Sequence, residues 1–316
     1  SFGKMFTRLI LERNPDIKRL VILSRDEQKH FNMAMEFPET KYPAMRYFIG
    51  DVRDKDRLER AFENIDIVIH AAAMKHVYLS EYNPNEAISS NIIGTQNLIR
   101  ASIENNCKKM ILLSTDKAVE PINLYGATKL ASDKLFVAAN NMVGDQDTRF
   151  SVVRYGNVMG SRGSVIPLFK SQALDGRVTI TDEKMTRFMV SLDQGVQMVS
   201  KAFHDMHGGE IYVRKVPSIK ICDLKLAISK DAKVHITGIR PGEKLHEQMI
   251  SKEDAPFTYE YEDYYKIVPA INTLEKNKEL INGGKAVAHD FIYSSNKNSE
   301  WMSTETLKAW LSKNDF

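Results

Sequence analysis

The chain has 316 residues, 44 Lys+Arg against 41 Asp+Glu (net charge +3), 43% hydrophobic and 27% charged residues. That is the make-up of a globular protein with room for one large domain or two smaller ones. Charges of both signs are interleaved, which excludes a dense basic face for nucleic acid and a like-charge disordered tail. No apolar run approaches the roughly 18 residues of a membrane span, and no charged start followed by an apolar signal core is read.

Phe6, Leu9 and Ile10 recur at helical intervals up to the breaker Asn14-Pro15, so the chain enters on a helix. It opens at Ser1 without a methionine, and a longer natural chain is expected. Strands follow at 19–24 and 46–51, a short helix at 57–63, and a strand at 66–70 that runs into Ala71-Ala72-Ala73. A long helix is predicted over 83–106, with Ile92, Leu98 and Ile99 on its apolar side. Then come a strand at 109–114, a helix at 125–140 and a strand at 150–155. Near-continuous apolar strands between helices specify an α/β fold, a doubly wound parallel sheet covered on both faces. Its crossovers are right-handed and its ligands sit beyond the carboxyl ends of the strands.

After Gly156 the texture changes. Residues 160–167 cluster Gly, Ser, Arg and Pro and read as an ordered loop. Beyond them short strands and helices mix without strict alternation. Residues 1–156 read as the sheet domain and 157–316 as mainly a smaller mixed α/β substrate lobe, partly interleaved with the first. Two cysteines, Cys107 and Cys222, argue against a disulfide framework and for a reducing, cytoplasmic setting. The histidines lack metal-ligand spacing, His204 and His207 included, so no metal is expected. Tyr259, Tyr261, Tyr264 and Tyr265 alternate with acids and read as a packed or half-exposed strand rather than a base-stacking platform.

The strongest chemical signal is Tyr125-Gly126-Ala127-Thr128-Lys129. Tyrosine and lysine four apart on a helix share one face. A phenol is a weak base near pKa 10, and a neighbouring cation lowers that value. The phenolate can then take a proton from an alcohol while hydride leaves the same carbon. Ser114 and Thr115, at the end of a strand just upstream, offer hydroxyls to polarise the same oxygen. Taken alone, the pair reads as well as a surface helix with an incidental Tyr and Lys.

Tyr-x-x-x-Lys after a strand ending in Ser-Thr resembles the extended short-chain dehydrogenase/reductases that act on nucleotide sugars, over most of the chain. The resemblance implies a Rossmann-type domain over 1–156. Gly50-Asp51-Val52-Arg53-Asp54 is similar to the strand end that contacts adenine, through Asp51 and Val52. Ala71-Ala72-Ala73-Met74-Lys75-His76 is similar to the turn passing the ribose and pyrophosphate, with Ala71, Ala72 and Lys75 as contacts. Ser1-Phe2-Gly3 resembles the tail of the Gly-rich phosphate loop; the earlier glycines and the first strand are missing. Tyr125 and Lys129 also count among the cofactor contacts.

Charge argues for the cofactor type. An NAD site puts an acid on the ribose 2′-hydroxyl at the end of the second strand. Here that strand ends Ser24-Arg25-Asp26-Glu27, with Lys29 behind, and a hydroxyl and a guanidinium suit a 2′-phosphate. NADP is the expected cofactor; the competing reading pairs Arg25 with Asp26 or Glu27 on the surface.

Asp116-Lys117, directly after Thr115, resembles the subgroup acting on UDP-N-acetylglucosamine, in which a 4,6-dehydration follows C4 oxidation. Lys117 is then the base at C5 and Asp116 the acid at the C6 hydroxyl, which needs a neutral lysine and a protonated aspartic acid. An adjacent Asp and Lys forming a simple ion pair is the opposing expectation. Asn157, Arg162, Gly163, Ser164, Val165, Arg240 and Glu243, with Ser114 and Thr115, resemble the sugar-nucleotide contacts. A nucleotide-sugar C4-epimerase and a catalytically silent NADP-sensing protein remain as alternatives. The helices 83–106 and 125–140 resemble those that pair between subunits, which implies a homo-oligomer.

Overall fold

The computed structural model describes residues 2–160 and 164–313. Helix α1 (Phe2–Arg13) leads to the parallel strands β1 (Leu20–Ser24) and β2 (Met45–Ile49), with α2 (Glu27–Glu36) between them and α3 (Lys55–Ala61) after. Asp26 and Asp54 start these two helices by accepting the Lys29 and Arg57 amides. Next come β3 (Ile67–His70), α4 (Val77–Tyr82), α5 (Pro84–Ile88), a π-helical turn at Ser89–Ile93, α6 (Gly94–Glu104), β4 (Lys109–Thr115), α7 (Leu124–Ala139) and β5 (Arg149–Tyr155). The remainder holds β6 (Asn157–Val158), α8 (Val165–Leu174), β7 (Arg177–Ile180), β8 (Thr186–Val190), α9 (Leu192–Asp205), β9 (Ile211–Arg214), β10 (Ser218–Lys220), α10 (Ile221–Ile228), β11 (Lys233–Ile236) and β12 (Gln248–Ile250). It ends with β13 (Thr258–Glu260), β14 (Tyr264–Ile267), α11 (Leu274–Ile281), β15 (Lys285–Ala286), β16 (Tyr293–Ser294) and α12 (Thr304–Lys313).

The main sheet runs β15-β13-β14-β9-β5-β4-β3. β3, β4, β5 and β9 are parallel, and the β13–β14 hairpin adds to β9 antiparallel. β1 and β2 form their own ladder, and no hydrogen-bonded register joins β1 to β3. Leu58, Leu98, Phe136 and Phe150 fill one face of the main sheet; Met198, Val199 and Tyr212 fill the other, where Phe2 and Phe6 of α1 pack. A separate cluster of Ile166, Phe169, Val178, Ile219, Leu224 and Leu307 is the core of the second lobe. The lobes meet closely at Gly156, where a Cβ would fall 2.5 Å from Phe188 Cβ.

Two expectations change. The helix predicted over 83–106 is broken by the π turn. There the Asn91 carbonyl accepts from the Thr95 and Ser132 hydroxyls (2.6 and 2.8 Å), while its side chain bonds both the amide and the carbonyl of Met74. Such a turn spends one extra residue to re-aim a side chain. The loop read over 160–167 gives way to α8 from Val165, because Pro167 falls in the first helical turn, where its missing N–H costs no bond. The tyrosine run forms the β13–β14 hairpin, with Tyr264 and Tyr265 buried. Among the described residues no cluster of three or more metal-ligating side chains occurs, and no helix is long and apolar enough to cross a membrane.

Candidate active site

The site grows from the carboxyl end of β4. The Thr115 hydroxyl oxygen accepts the Lys117 amide (3.4 Å) and opens a single 3-10 turn over Asp116–Ala118. That turn lies on the first turn of α7. A Cβ on Gly126 would fall 2.1 Å from the Lys117 carbonyl oxygen, so only glycine lets Asp116 and Lys117 sit beside Tyr125. Asn123 starts α7 by accepting the Gly126 amide (2.7 Å), and its amide nitrogen donates to the Gly242 carbonyl (2.7 Å). One asparagine therefore both caps the catalytic helix and fastens a loop of the second lobe onto it.

Lys117 Nζ lies 2.9 Å from Asp116 Oδ1 and 3.3 Å from Glu247 Oε1. Asp116 and Glu247 are buried, while a quarter of the Lys117 side chain (24%) stays accessible. Burial pushes the Asp116 carboxyl up, opposed by Lys117 and reinforced by the negative Glu247. Burial also disfavours the Lys117 ammonium, but the two carboxylates outweigh it and hold the amine well above its ordinary value. Lys117 is thus a cation in this state, which corrects the neutral lysine expected from the sequence. The adjacent Asp116 carboxylate, joined by Glu247 brought from the other lobe, is the physical reason.

Tyr125 is buried, and burial pushes its phenol up to about 12, against the pull of Lys117 and of a hydrogen bond to Thr115. The cation facing the phenol is therefore Lys117. Lys129, the helical neighbour expected in that role, instead donates to the Leu113 carbonyl (2.9 Å), and burial lowers its ammonium to about 8. Ser114 is likewise corrected. Strand residues alternate faces, so with Thr115 turned to the site, Ser114 turns under α7 and donates to Asp133 Oδ2 (2.8 Å). Buried Arg154 reaches the same oxygen (3.2 Å) and donates to the Met249 carbonyl (2.9 Å). Ser114 belongs to the support beneath the site.

At the carboxyl end of β1, the Ser24 hydroxyl accepts the Asp26 amide (3.2 Å), and Asp26 pairs with Lys29 (2.6 Å) while capping α2. Among the described residues Arg25 pairs with Asp51 (3.6 Å), and its side chain is two-thirds exposed. Asp51 is gripped by Arg53 (2.8 Å), which keeps its carboxyl below the usual range. Val52 lies over Gly94, where a Cβ would fall 2.7 Å from its Cγ2. Ala71, Ala72 and Lys75 are exposed beyond β3, on the turn that Asn91 braces. Gly3 lies in the first turn of α1 with open space at its Cβ position, whereas the Phe2 ring stacks on Phe6 and Tyr155.

Asn157 Oδ1 and Ser164 Oγ are buried without partners, Ser164 at the start of α8 and Val165 next to it. Arg162 and Gly163 lie outside the described residues. Arg240 is exposed on the turn whose carbonyl accepts the Glu243 amide (3.0 Å). Glu243 leans on Arg187 (3.7 Å), a residue the sequence reading did not place in the site. Buried Arg187 donates to the Thr186, Lys244 and Leu245 carbonyls and so sets the path of the 243–247 segment. Neither Glu247 nor Arg187 was assigned a role from sequence, since nothing local marks a charge whose partner is remote in the chain.

A family model described as polysaccharide biosynthesis protein matches residues 1–269. The chain belongs to this family. A Campylobacter jejuni protein named UDP-N-acetylglucosamine 4,6-dehydratase (inverting) is 54% identical over 314 residues, covering 97% of this chain and 93% of that protein. A Rickettsia canadensis protein named UDP-glucose 4-epimerase is 39% identical over 319 residues, 98% and 92% of the two chains. The X-ray structure of Pen from Bacillus thuringiensis aligns with a TM-score of 0.89 at 36% identity, covering 99% of this chain and 95% of that one. The fold is the Rossmann-type α/β fold of the extended short-chain dehydrogenase/reductases, as its motifs imply.

Proposed function

We propose that this protein removes water from UDP-N-acetylglucosamine to give a UDP 4-keto-6-deoxy sugar, using NADP and inverting C5, in the manner of the pseudaminic acid pathway. The observation that carries the reading is the Asp116–Lys117 turn seated on Gly126 beside Tyr125. An epimerase needs only the tyrosine; an acid and an amine over the same pocket add the means to eliminate water. The identity to the C. jejuni dehydratase supports the same choice over the more distant epimerase.

The residues present fit a nicotinamide cofactor. Ala71 and Ala72 leave the backbone beyond β3 open to close approach, and exposed Arg25, whose contact with Asp51 is long (3.6 Å), can turn to a 2′-phosphate. A nicotinamide held there would supply the hydride acceptor for sugar C4 and the hydride donor for C6. Tyr125 takes the C4 hydroxyl proton, with the Lys117 cation favouring its phenolate. The resulting ketone acidifies the C5 proton. Lys117, once it has passed on its own proton, takes that one, while Asp116 protonates the departing C6 hydroxyl. Half-buried Asn157 and Ser164 supply Oδ1 and Oγ, both without a hydrogen-bond partner among the described residues, toward the sugar nucleotide. Arg240 and Glu243 supply charge at its nucleotide end, and a homo-oligomer working in the cytoplasm completes the reading.

The test is incubation of the full-length protein with UDP-N-acetylglucosamine in deuterated water, read by NMR. Loss of the C6 oxygen with deuterium at C5 is expected. A C4 epimer would replace this reading with epimerisation, and unchanged sugar would leave a non-catalytic binder.

A further inference from the structure

The elimination asks two things of neighbouring residues: Asp116 must hold a proton, and Lys117 must lose one. A two-membered Asp–Lys pair resists both, since each charge keeps the other ionised. The structure holds a third member. Glu247, immediately before β12, puts Oε1 3.3 Å from Lys117 Nζ, and its Oε2 is buried without a partner. We propose that Glu247 is the counter-ion of Lys117, which leaves the adjacent Asp116 free to remain protonated as the acid. The inference rests on the dehydratase reading and deepens it.

The surrounding charges decide which carboxyl ionises. Glu247 faces Lys117, Arg187 (3.8 Å) and Lys244. Asp116 faces Lys117 alone and is repelled by Glu247. From α7 the group over the pair is Tyr125, with Asp133 and Lys129 behind it. Glu243 is spent on Arg187, Glu120 lies toward Lys244, and the His246 ring turns away to Thr186. Burial opposes ionisation at both carboxyls, but three cations hold Glu247 below its ordinary value, whereas Asp116 is raised. Arg187 and Arg154 fix the segment from both sides, through the Lys244 and Leu245 carbonyls and the Met249 carbonyl.

The protons then close a cycle. Lys117 passes its proton to solvent through its accessible quarter and becomes a neutral amine. It takes the C5 proton as Asp116 protonates O6 and water departs. C5 takes a solvent proton as hydride arrives at C6, Tyr125 releases the C4 hydroxyl proton to solvent, and Asp116 is reprotonated from solvent, restoring a protonated acid, an ammonium, a phenolate and the Glu247 carboxylate. Glu247 touches neither substrate nor cofactor in this scheme; it is a positioning residue acting through Lys117.

The experiment compares wild type, Glu247→Gln and Glu247→Asp on UDP-N-acetylglucosamine with NADP, reading product, absorbance at 340 nm and the pH dependence of kcat. Glu247→Gln should lower kcat by about 100-fold with KM within about threefold. Reduced cofactor should accumulate at 340 nm, because C4 oxidation persists while elimination stalls. With Lys117 left wholly to Asp116, the alkaline limb of kcat should move down by about one pH unit. Glu247→Asp, which keeps the charge, should move that limb back. Unchanged kcat and limb in Glu247→Gln would overturn the inference while leaving the dehydratase reading intact. Equal loss of oxidation and elimination, with no rise at 340 nm, would reduce Glu247 to scaffolding. Absence of product from wild type would remove the reading on which the inference stands.

Discussion

Two acid–cation clusters, one around Asp51 and one around Lys117, differ in their relation to water. Asp51 sits between Arg25 and Arg53, whose side chains are 66% and 36% exposed. Asp116 and Glu247 hold Lys117 with side-chain exposures of 0% and 3%. In the first cluster solvent screens the charges, the pairs are weak and an incoming phosphate can exchange with them. In the second the charges cannot escape one another, so the number and placement of neighbours set who carries the proton. Recognition is expected from the wet cluster and proton chemistry from the dry one.

The largest effect on this contrast should come from Gly126→Ala. The added methyl has no room against the Lys117 carbonyl, so the Asp116–Lys117 turn must leave α7. Turnover should fall by about 100-fold or more, and stability by about 1–3 kcal/mol, read by product assay and thermal melting. Native turnover in this variant would mean the turn does not need that seat.

His70 sharpens the buried side. It is enclosed at the end of β3, and burial lowers its ring to about 3. Because the folded value lies below the unfolded 6.5, the unfolded chain binds the proton first. Stability is therefore retained above about pH 6.5 and lost as pH falls toward 3. The loss should be on the order of 3 kcal/mol by pH 4. Urea unfolding at pH 7 and pH 4.5 checks this: His70→Gln should flatten the dependence, and an equally steep loss in that variant would place the sensitivity elsewhere.

The exposed side should give the smallest change. Arg25→Ala should weaken NADP binding by about tenfold, close to 1.4 kcal/mol, and leave NAD nearly unaffected. Raised salt should erase the difference. Titration of both cofactors reads it, and tighter binding of NAD than NADP by wild type would reverse the cofactor assignment.

Much of the frame was legible because its signals are local. Apolar strands alternating with helical spacing marked β3, β4, β5 and α7, and Tyr125 and Lys117 were named from motifs around one strand end. What sequence left out depends on contacts between remote segments. Lys129 is four residues from Tyr125, but the Leu113 carbonyl captures its ammonium. Ser114 adjoins Thr115, but the strand's alternation sends it to Asp133. Glu247 and Arg187 acquire their meaning only when Asn123 and Gly242 dock the second lobe onto α7. The π turn at Asn91 left no periodic mark, because one added residue keeps the helix's apolar side nearly in phase.

The central claim, that Lys117 diverts a C4 ketone into dehydration, is tested most directly by Lys117→Ala. Mixed with NADP and UDP-N-acetylglucosamine, this variant should develop the 340 nm band of reduced cofactor and release no 4-keto-6-deoxy sugar. Dehydrated product at the wild-type rate would contradict the account.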